Sequence, residues 1–138
     1  MSVIPEEYLD LMQSRALAHM ATIGPKGEPH TTPVWFGWDG THMLFSLTKG
    51  RQKYRNLQRE PRLALSIVDP TDPYRFIEVR GRLVRIDEDP DRRFINWLAK
   101  KYINQDVHPY HQPGDEWVVM VVEPKHITLM PKYQKGKK

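Results

Sequence analysis

Two hydroxyl residues and two cations lie close together near the middle of the chain. Ser46 and Thr48 are two residues apart in an apolar run, so a strand would place both hydroxyls on one face. After a turn at Gly50, Arg51 and Lys53 fall in the first turn of a predicted helix. The amides of a first helical turn have no intrahelical acceptor and carry the positive end of the helix dipole. The combination predicts a site for a phosphate or another anion.

A solvated basic helix is the alternative explanation of the same residues, because many exposed helices begin with Lys or Arg. The charge count favours the anion site. Between residues 49 and 62 the only acid is Glu60, and one sign of charge at that density is unusual for ordinary surface. The basic residues of this stretch are Lys49, Arg51, Lys53, Arg55, Arg59 and Arg62.

The composition limits the kinds of protein to consider. With 138 residues we expect one domain over 1–130, followed by a basic tail over 131–138. The net charge of +4 indicates an anionic partner. The chain has no cysteine, no signal-peptide pattern and no apolar run near the ~20 residues that span a bilayer, so we expect a cytoplasmic protein without a membrane span.

Alternating apolar residues and turn signals predict the elements that position these side chains. Helices are expected at 5–14, 51–60 and 88–101, and Gly81 is expected to mark a bulge or a close backbone approach. Six strands joined mainly by hairpins indicate a mainly β fold, a small six-stranded antiparallel barrel. The strands are predicted at 16–23, 29–38, 41–47, 62–68, 74–86 and 117–128.

Several short motifs, in this order and spacing, resemble those of one family. They are Ala21-Thr22-Ile23 with Gly27 and Pro29, then Ser46 and Thr48, the run 53–62, and Val79-x-Gly81. Over residues 6–130 the chain resembles the pyridoxamine 5'-phosphate oxidase-like family of flavin- and deazaflavin-binding proteins, which have an FMN-binding-like split β-barrel. Within it, the chain is most similar to the actinobacterial branch that uses coenzyme F420.

The resemblance implies a homodimer with cofactor sites at the subunit interface. Arg51 and Lys53 would hold the cofactor phosphate, helped by the hydroxyls of Ser46 and Thr48. The partner chain would contribute Tyr74 and Phe76. The strand beside the cofactor ring would include His30, Thr32, Pro33, Val34 and Trp35, although Pro33 has no N–H to donate.

The implied activity is hydride transfer between coenzyme F420 and a small organic substrate such as an activated conjugated alkene. Such an enzyme needs no nucleophile, and the sequence identifies no catalytic residue. The alternatives are an FMN-binding oxidoreductase and a non-catalytic flavin, deazaflavin or haem binding protein. A nucleic-acid binding module is disfavoured, since no recognition motif is present. His108 and His111 indicate a polar loop that could cover the cleft rather than a metal site.

Overall fold

A computed structural model describes residues 3–130 and shows a mainly β protein. Its strands form one antiparallel sheet in the order β2-β1-β5-β6-β7-β4-β3. No helix in this part of the chain is long and apolar enough to cross a membrane. The predicted basic tail lies outside the described residues. The strands are β1 (Ala18–Ile23), β2 (Pro29–Val34), β3 (Gly37–Trp38), β4 (Met43–Thr48), β5 (Arg62–Asp69), β6 (Asp72–Glu88) and β7 (Trp117–Met130).

The core lies on one face of the curled sheet, because apolar residues alternate along its strands. In β4, Met43, Phe45 and Leu47 are buried, whereas Ser46 and Thr48 are on the other face and only partly buried. The strands β1, β5, β6 and β7 contribute buried residues with the same alternation to the same apolar cluster. Alternation was the main signal for the strands, and it also fixes which β4 side chains remain available for a site.

Gly81 lies where the long strand β6 approaches the backbone of β7 closely. The pairing register shifts between Arg80 and Gly81, which marks an irregularity of the ladder. A Cβ atom on Gly81 would lie 2.6 Å from the backbone oxygen of Glu123. The predicted bulge or close approach at this glycine is therefore confirmed.

The single strand predicted at 29–38 is wrong, because the chain leaves the sheet at Trp35 and Phe36. The strand β2 ends at Val34, and the two-residue strand β3 pairs with β4 at the opposite end of the sheet. Phe36 is fully buried, and its amide is bonded to the Tyr102 hydroxyl at 3.2 Å. Burial of Phe36 explains the break, which gives seven strands in place of the predicted six.

The helices are shorter than the sequence pattern indicates. A 3-10 helix at Glu6–Tyr8 leads into α1 (Leu9–Met12), α2 spans Gln52–Arg59, and α3 spans Arg93–Ile103. The predicted start of α3 at 88 is wrong, because the helix begins at Arg93. Asp89 precedes the helix, and its side chain caps the first turn. Its carboxylate accepts bonds from the amides of Arg93 and Phe94, each at 3.0 Å.

Candidate functional site

The helix α2 is fixed against β1 by one buried polar contact and one buried apolar residue. Asn56 is completely buried, donates to Thr22 Oγ1 at 3.1 Å and accepts a bond from the Gln52 side chain at 2.8 Å. Leu57, the next residue, is also completely buried. These contacts determine where the N-terminal end of α2 meets the sheet.

Arg51 immediately precedes α2 in an extended conformation, with φ −77° and ψ 143°. The prediction that it lies within the first turn is therefore wrong by one position. Lys53 lies in that turn, as predicted. The Arg51 amide donates to Thr48 O at 3.2 Å, so a tight turn joins the end of β4 to α2. This turn places the β4 hydroxyls beside the two cations.

A cavity of about 190 Å³ brings these groups together. It contains five of the predicted cofactor-binding residues from β2 and its end and from β4, together with the two predicted cations at the start of α2. No lining residue is acidic. The lining residues are Pro33, Val34, Trp35, Ser46, Leu47, Thr48, Arg51, Lys53, Ile95, Leu98, His108 and Trp117.

A second cavity, of about 220 Å³, lies on the other side of the two cations. His30 and Thr32, also predicted to be cofactor-binding, line it with Met20, Thr22 and Gln52. Arg51 and Lys53 line both cavities. A ligand held by the two cations could therefore extend into either space.

The cations at this junction lack the carboxylate partners that usually neutralise them. Within residues 3–130, neither Arg51 nor Lys53 forms an ion pair. Lys53 Nζ donates to Thr32 Oγ1 at 3.1 Å, and both burial and the charge of Arg51 lower its pKa. The Ser46 hydroxyl oxygen is buried and has no hydrogen-bond partner. Two uncompensated cations beside an unpaired hydroxyl fit a phosphate group.

The other basic residues of the stretch have partners, so the charge count from sequence was misleading. Lys49 Nζ lies 3.1 Å from Glu88 Oε2 and 3.5 Å from Glu116 Oε2, two acids that are distant in sequence. Arg62 pairs with Glu60 at 2.5 Å. The remaining two donate to backbone carbonyls: Arg55 to Gly50 O at 2.9 Å and Arg59 to Ile23 O. Among these six side chains, those of Arg51 and Lys53 have neither a carboxylate nor a backbone carbonyl of residues 3–130 as a partner.

Tyr74 and Phe76 lie apart from the other predicted site residues. They are in β6, where Phe76 pairs with Met130, and neither lines either cavity. The Tyr74 side chain is 61% exposed. Within one subunit, the structure does not bring these two rings to the cations.

His108 lines the first cavity but was not among the predicted site residues. It follows α3, and its amide donates to Asn96 Oδ1 at 2.9 Å. Its ring meets Trp35 and Trp117 edge-on, with centroids 5.8 and 5.6 Å away. The only sequence signal was a His-rich polar loop that could cover a cleft, and that signal did not distinguish His108 from His111.

Comparisons with known proteins identify the family of this chain. The family model for pyridoxamine 5'-phosphate oxidase matches residues 4–130. A solved structure named as an F420 reductase is 38% identical, with a TM-score of 0.81, and the match covers 91% of this chain and 98% of that one.

Two more distant structures share the fold. One is a conserved hypothetical protein of Mycobacterium tuberculosis, 22% identical with a TM-score of 0.72, and the match covers 99% of this chain and 94% of the other. The second is General Stress Protein 26 of Bacillus anthracis, 18% identical with a TM-score of 0.68, with 93% and 94% covered. The mainly β split-barrel prediction is confirmed, and the chain belongs to the pyridoxamine 5'-phosphate oxidase family.

Proposed function

We propose that this protein is a coenzyme F420-dependent oxidoreductase that transfers a hydride between the deazaflavin and a small organic substrate, such as an activated conjugated alkene. The observation that carries the proposal is the pair Arg51 and Lys53, which have no carboxylate partner among residues 3–130 and line two cavities. The 38% identity to a protein named as an F420 reductase supports the choice of cofactor.

In this mechanism, the residues of the protein bind the cofactor and orient it. Arg51 and Lys53 hold the cofactor phosphate through charge-assisted hydrogen bonds, and Ser46 and Thr48 contribute their hydroxyls. Lys53 is already positioned by its bond to Thr32. When bound, the deazaflavin supplies the hydride chemistry, and no side chain of the protein needs to act as a nucleophile.

The end strand β2 would supply the residues beside the cofactor ring. As the last strand of the sheet it pairs only with β1, so the backbone groups along its outer edge are free of ladder bonds. The residues of this strand that would contact the cofactor ring are His30, Thr32, Pro33, Val34 and Trp35, and Pro33 could offer only its carbonyl oxygen.

A homodimer completes the proposed site. Tyr74 and Phe76 line neither cavity of their own subunit, and they would approach the cofactor or substrate bound by a second copy. Their position on β6, with Tyr74 largely exposed, supports this arrangement. The substrate cleft is then shared between two chains.

FMN is the second candidate cofactor, and membership of this family supports it. The same cations would hold its phosphate, and the protein would be an FMN-binding oxidoreductase. A carrier that binds a flavin, deazaflavin or haem without turnover would use the same cavities. A nucleic-acid module is less favoured, because four of the six basic residues considered for it are engaged within the chain.

Parallel fluorescence titrations with coenzyme F420 and FMN test the proposal. Replacing Arg51 and Lys53 together by alanine removes two charge-assisted contacts, so we expect F420 affinity to fall about 100-fold or more. Arg55→Ala is the matched control, because it removes one cation from the same helix whose guanidinium is bonded to Gly50 O. The control should bind F420 almost as the wild type does.

The outcomes separate the candidate functions. Oxidation of reduced F420 by an activated alkene, followed by absorbance, would distinguish an enzyme from a carrier. Preferential binding of FMN would keep the site but change the cofactor. Binding of neither cofactor by the wild-type protein would overturn the proposed function.

A further inference from the structure

Two buried polar atoms without partners belong to the lining of the same cavity. One is Ser46 Oγ in β4, and the other is His108 Nδ1 in the loop that follows α3. A buried donor or acceptor left unpaired costs about 1–3 kcal/mol, so native proteins seldom retain one without a reason. Two of them lining one cavity indicate a ligand that pairs with both.

The His108 ring is held in place rather than free to turn away. Its backbone amide is tied to Asn96 of α3, and three aromatic rings meet its ring at steep angles. They are Trp35 at 84°, Tyr110 at 74° and Trp117 at 72°. A ring enclosed in this way presents Nδ1 in one direction, as a pre-organised contact does.

The charged residues that line the cavity with His108 are both cations. Arg51 and Lys53 line the same cavity from the start of α2, and no acidic residue lines it. On its own loop, the titratable neighbours in ring contact with His108 or with Trp117 are Tyr110 and His111. Burial and the nearby charge of Arg51 both lower the pKa of His108, which favours the neutral imidazole. A neutral imidazole has one N–H to donate.

We propose that His108 is a ligand-binding residue of the first cavity, whose Nδ1–H donates, alongside Ser46 Oγ, to an oxygen of the phosphate group that Arg51 and Lys53 hold. The inference rests on the proposed function in so far as that phosphate belongs to a cofactor. It adds a polar contact from outside α2 and β4, and it makes the loop after α3 part of the binding site. It also gives both unpaired atoms a partner.

Variants of His108 test the contact directly. His108→Phe keeps a ring against Trp35 and Trp117 but removes Nδ1, so we expect F420 or FMN to bind about 10-fold more weakly, as for one lost hydrogen bond to a charged group. His108→Asn keeps a polar side chain, so its affinity for the cofactor should fall less than that of His108→Phe. His111→Asn is the matched control on the same loop, since His111 is exposed and does not line this cavity. It should bind as the wild type does.

The 15N signals of the His108 ring give a second readout that does not depend on activity. An anion at Arg51 should shift them and raise the pKa of His108, whereas the ring of His111 should change little. Arg51→Ala should abolish the shift. Unchanged affinity in His108→Phe together with an unchanged ring signal would overturn the inference while leaving the cofactor assignment intact.

Inorganic phosphate separates the two proposals if neither cofactor binds. In that case the proposed function fails, but a saturable phosphate-induced shift at His108, lost in Arg51→Ala, would still support the contact. No shift with phosphate would overturn it. If His108→Phe does not fold, as judged by thermal unfolding, His108→Asn and the wild-type ring titration decide the question.

Discussion

Arg75 and Arg51 lie in different parts of the barrel and differ in their burial and in their ion-pair partners. Arg75 is 8% exposed and donates to Asp10 at 2.8 and 3.0 Å, to Asp69 at 2.9 Å and to Glu7 O at 2.8 Å. Its guanidinium carbon also lies 4.7 Å from the centre of the Tyr8 ring. Arg51 is exposed and has no carboxylate partner among residues 3–130.

The difference distinguishes a structural cation from one available for binding. The two terminal nitrogens of Arg75 tie the N-terminal helices to the turn between β5 and β6, and these contacts occupy their four N–H groups. At Arg51 and Lys53 the fold concentrates positive charge and leaves it uncompensated. A stable protein tolerates that arrangement when a bound anion removes the repulsion.

The largest effect on stability is expected from Arg75→Met. Removing Arg75 leaves the Asp69 carboxylate, whose side chain is only 12% exposed, without its cation, so we expect a loss of about 3 kcal/mol in the free energy of unfolding. Urea denaturation followed by circular dichroism measures it. A loss below about 0.5 kcal/mol, the range of ordinary surface substitutions, would mean that Arg75 is no more structural than Arg51.

Sequence reasoning was reliable where the signal is local. Alternation of apolar residues located the strands, and the short path from Ser46 to Lys53 placed hydroxyls and cations around one cavity. Gly81 was identified because a strand glycine has few other uses. Each of these inferences depends on residues within one element or across one turn.

The sequence failed where distant residues meet. Counting charges between 49 and 62 could not show that Glu88 and Glu116 neutralise Lys49. The break at Trp35 depends on Lys101 and Tyr102, which bind the Phe36 backbone from α3. His108 lines the cavity together with residues of β2, β4 and α3 that are distant in sequence. No local sequence pattern predicts this proximity.

Acid should weaken the Arg75 network by protonating Asp69. Bonds from the Thr71 amide, with further help from Arg75, lower the pKa of Asp69 from 3.8 to about 2. Because the folded pKa is the lower one, the stabilisation is complete above about pH 4 and is lost as the pH falls toward 2. The stability gap between wild type and Asp69→Asn should therefore narrow in acid by about 1 kcal/mol, allowing for screening.

Urea unfolding of both proteins at several acidic pH values measures that gap. Asp91→Asn is the comparison variant, because it removes an exposed carboxylate of the same type from the segment before α3. A gap that stays constant from neutral pH to pH 3 would show that the Asp69 carboxylate is not the acid-sensitive member of the network.

Lys101 differs from both arginines. Its ammonium is partly buried among aromatic rings, and no carboxylate of residues 3–130 pairs with it. Nζ donates to Phe36 O at 2.8 Å and lies 4.8 and 4.9 Å from the ring centres of Phe36 and Tyr102. Burial lowers the pKa of Lys101 from 10.5 to about 8. Between these values the unfolded chain binds more protons, so this residue makes stability rise with pH from about 8 to 10.5.

The difference in unfolding free energy between wild type and Lys101→Met isolates this contribution. It should move in favour of the wild type between pH 8 and pH 10, by less than about 1 kcal/mol after allowance for solvent screening. A difference that is independent of pH would mean that the Lys101 ammonium is as well solvated as one on the surface.

The smallest change in stability is expected from Arg51→Met, which breaks no ion pair within residues 3–130. The free energy of unfolding should change by no more than about 0.5 kcal/mol, and the loss of like-charge repulsion should raise the pKa of Lys53. NMR titration of the Lys53 side chain measures the second effect. Arg51→Lys is the control, because it keeps the charge and so should keep that pKa low.

If Arg51→Met instead destabilised the protein as much as Arg75→Met, the fold would need the charge of Arg51, and the distinction between structural and available cations would fail. With stability unchanged and ligand affinity lost, the charge of Arg51 would serve binding alone.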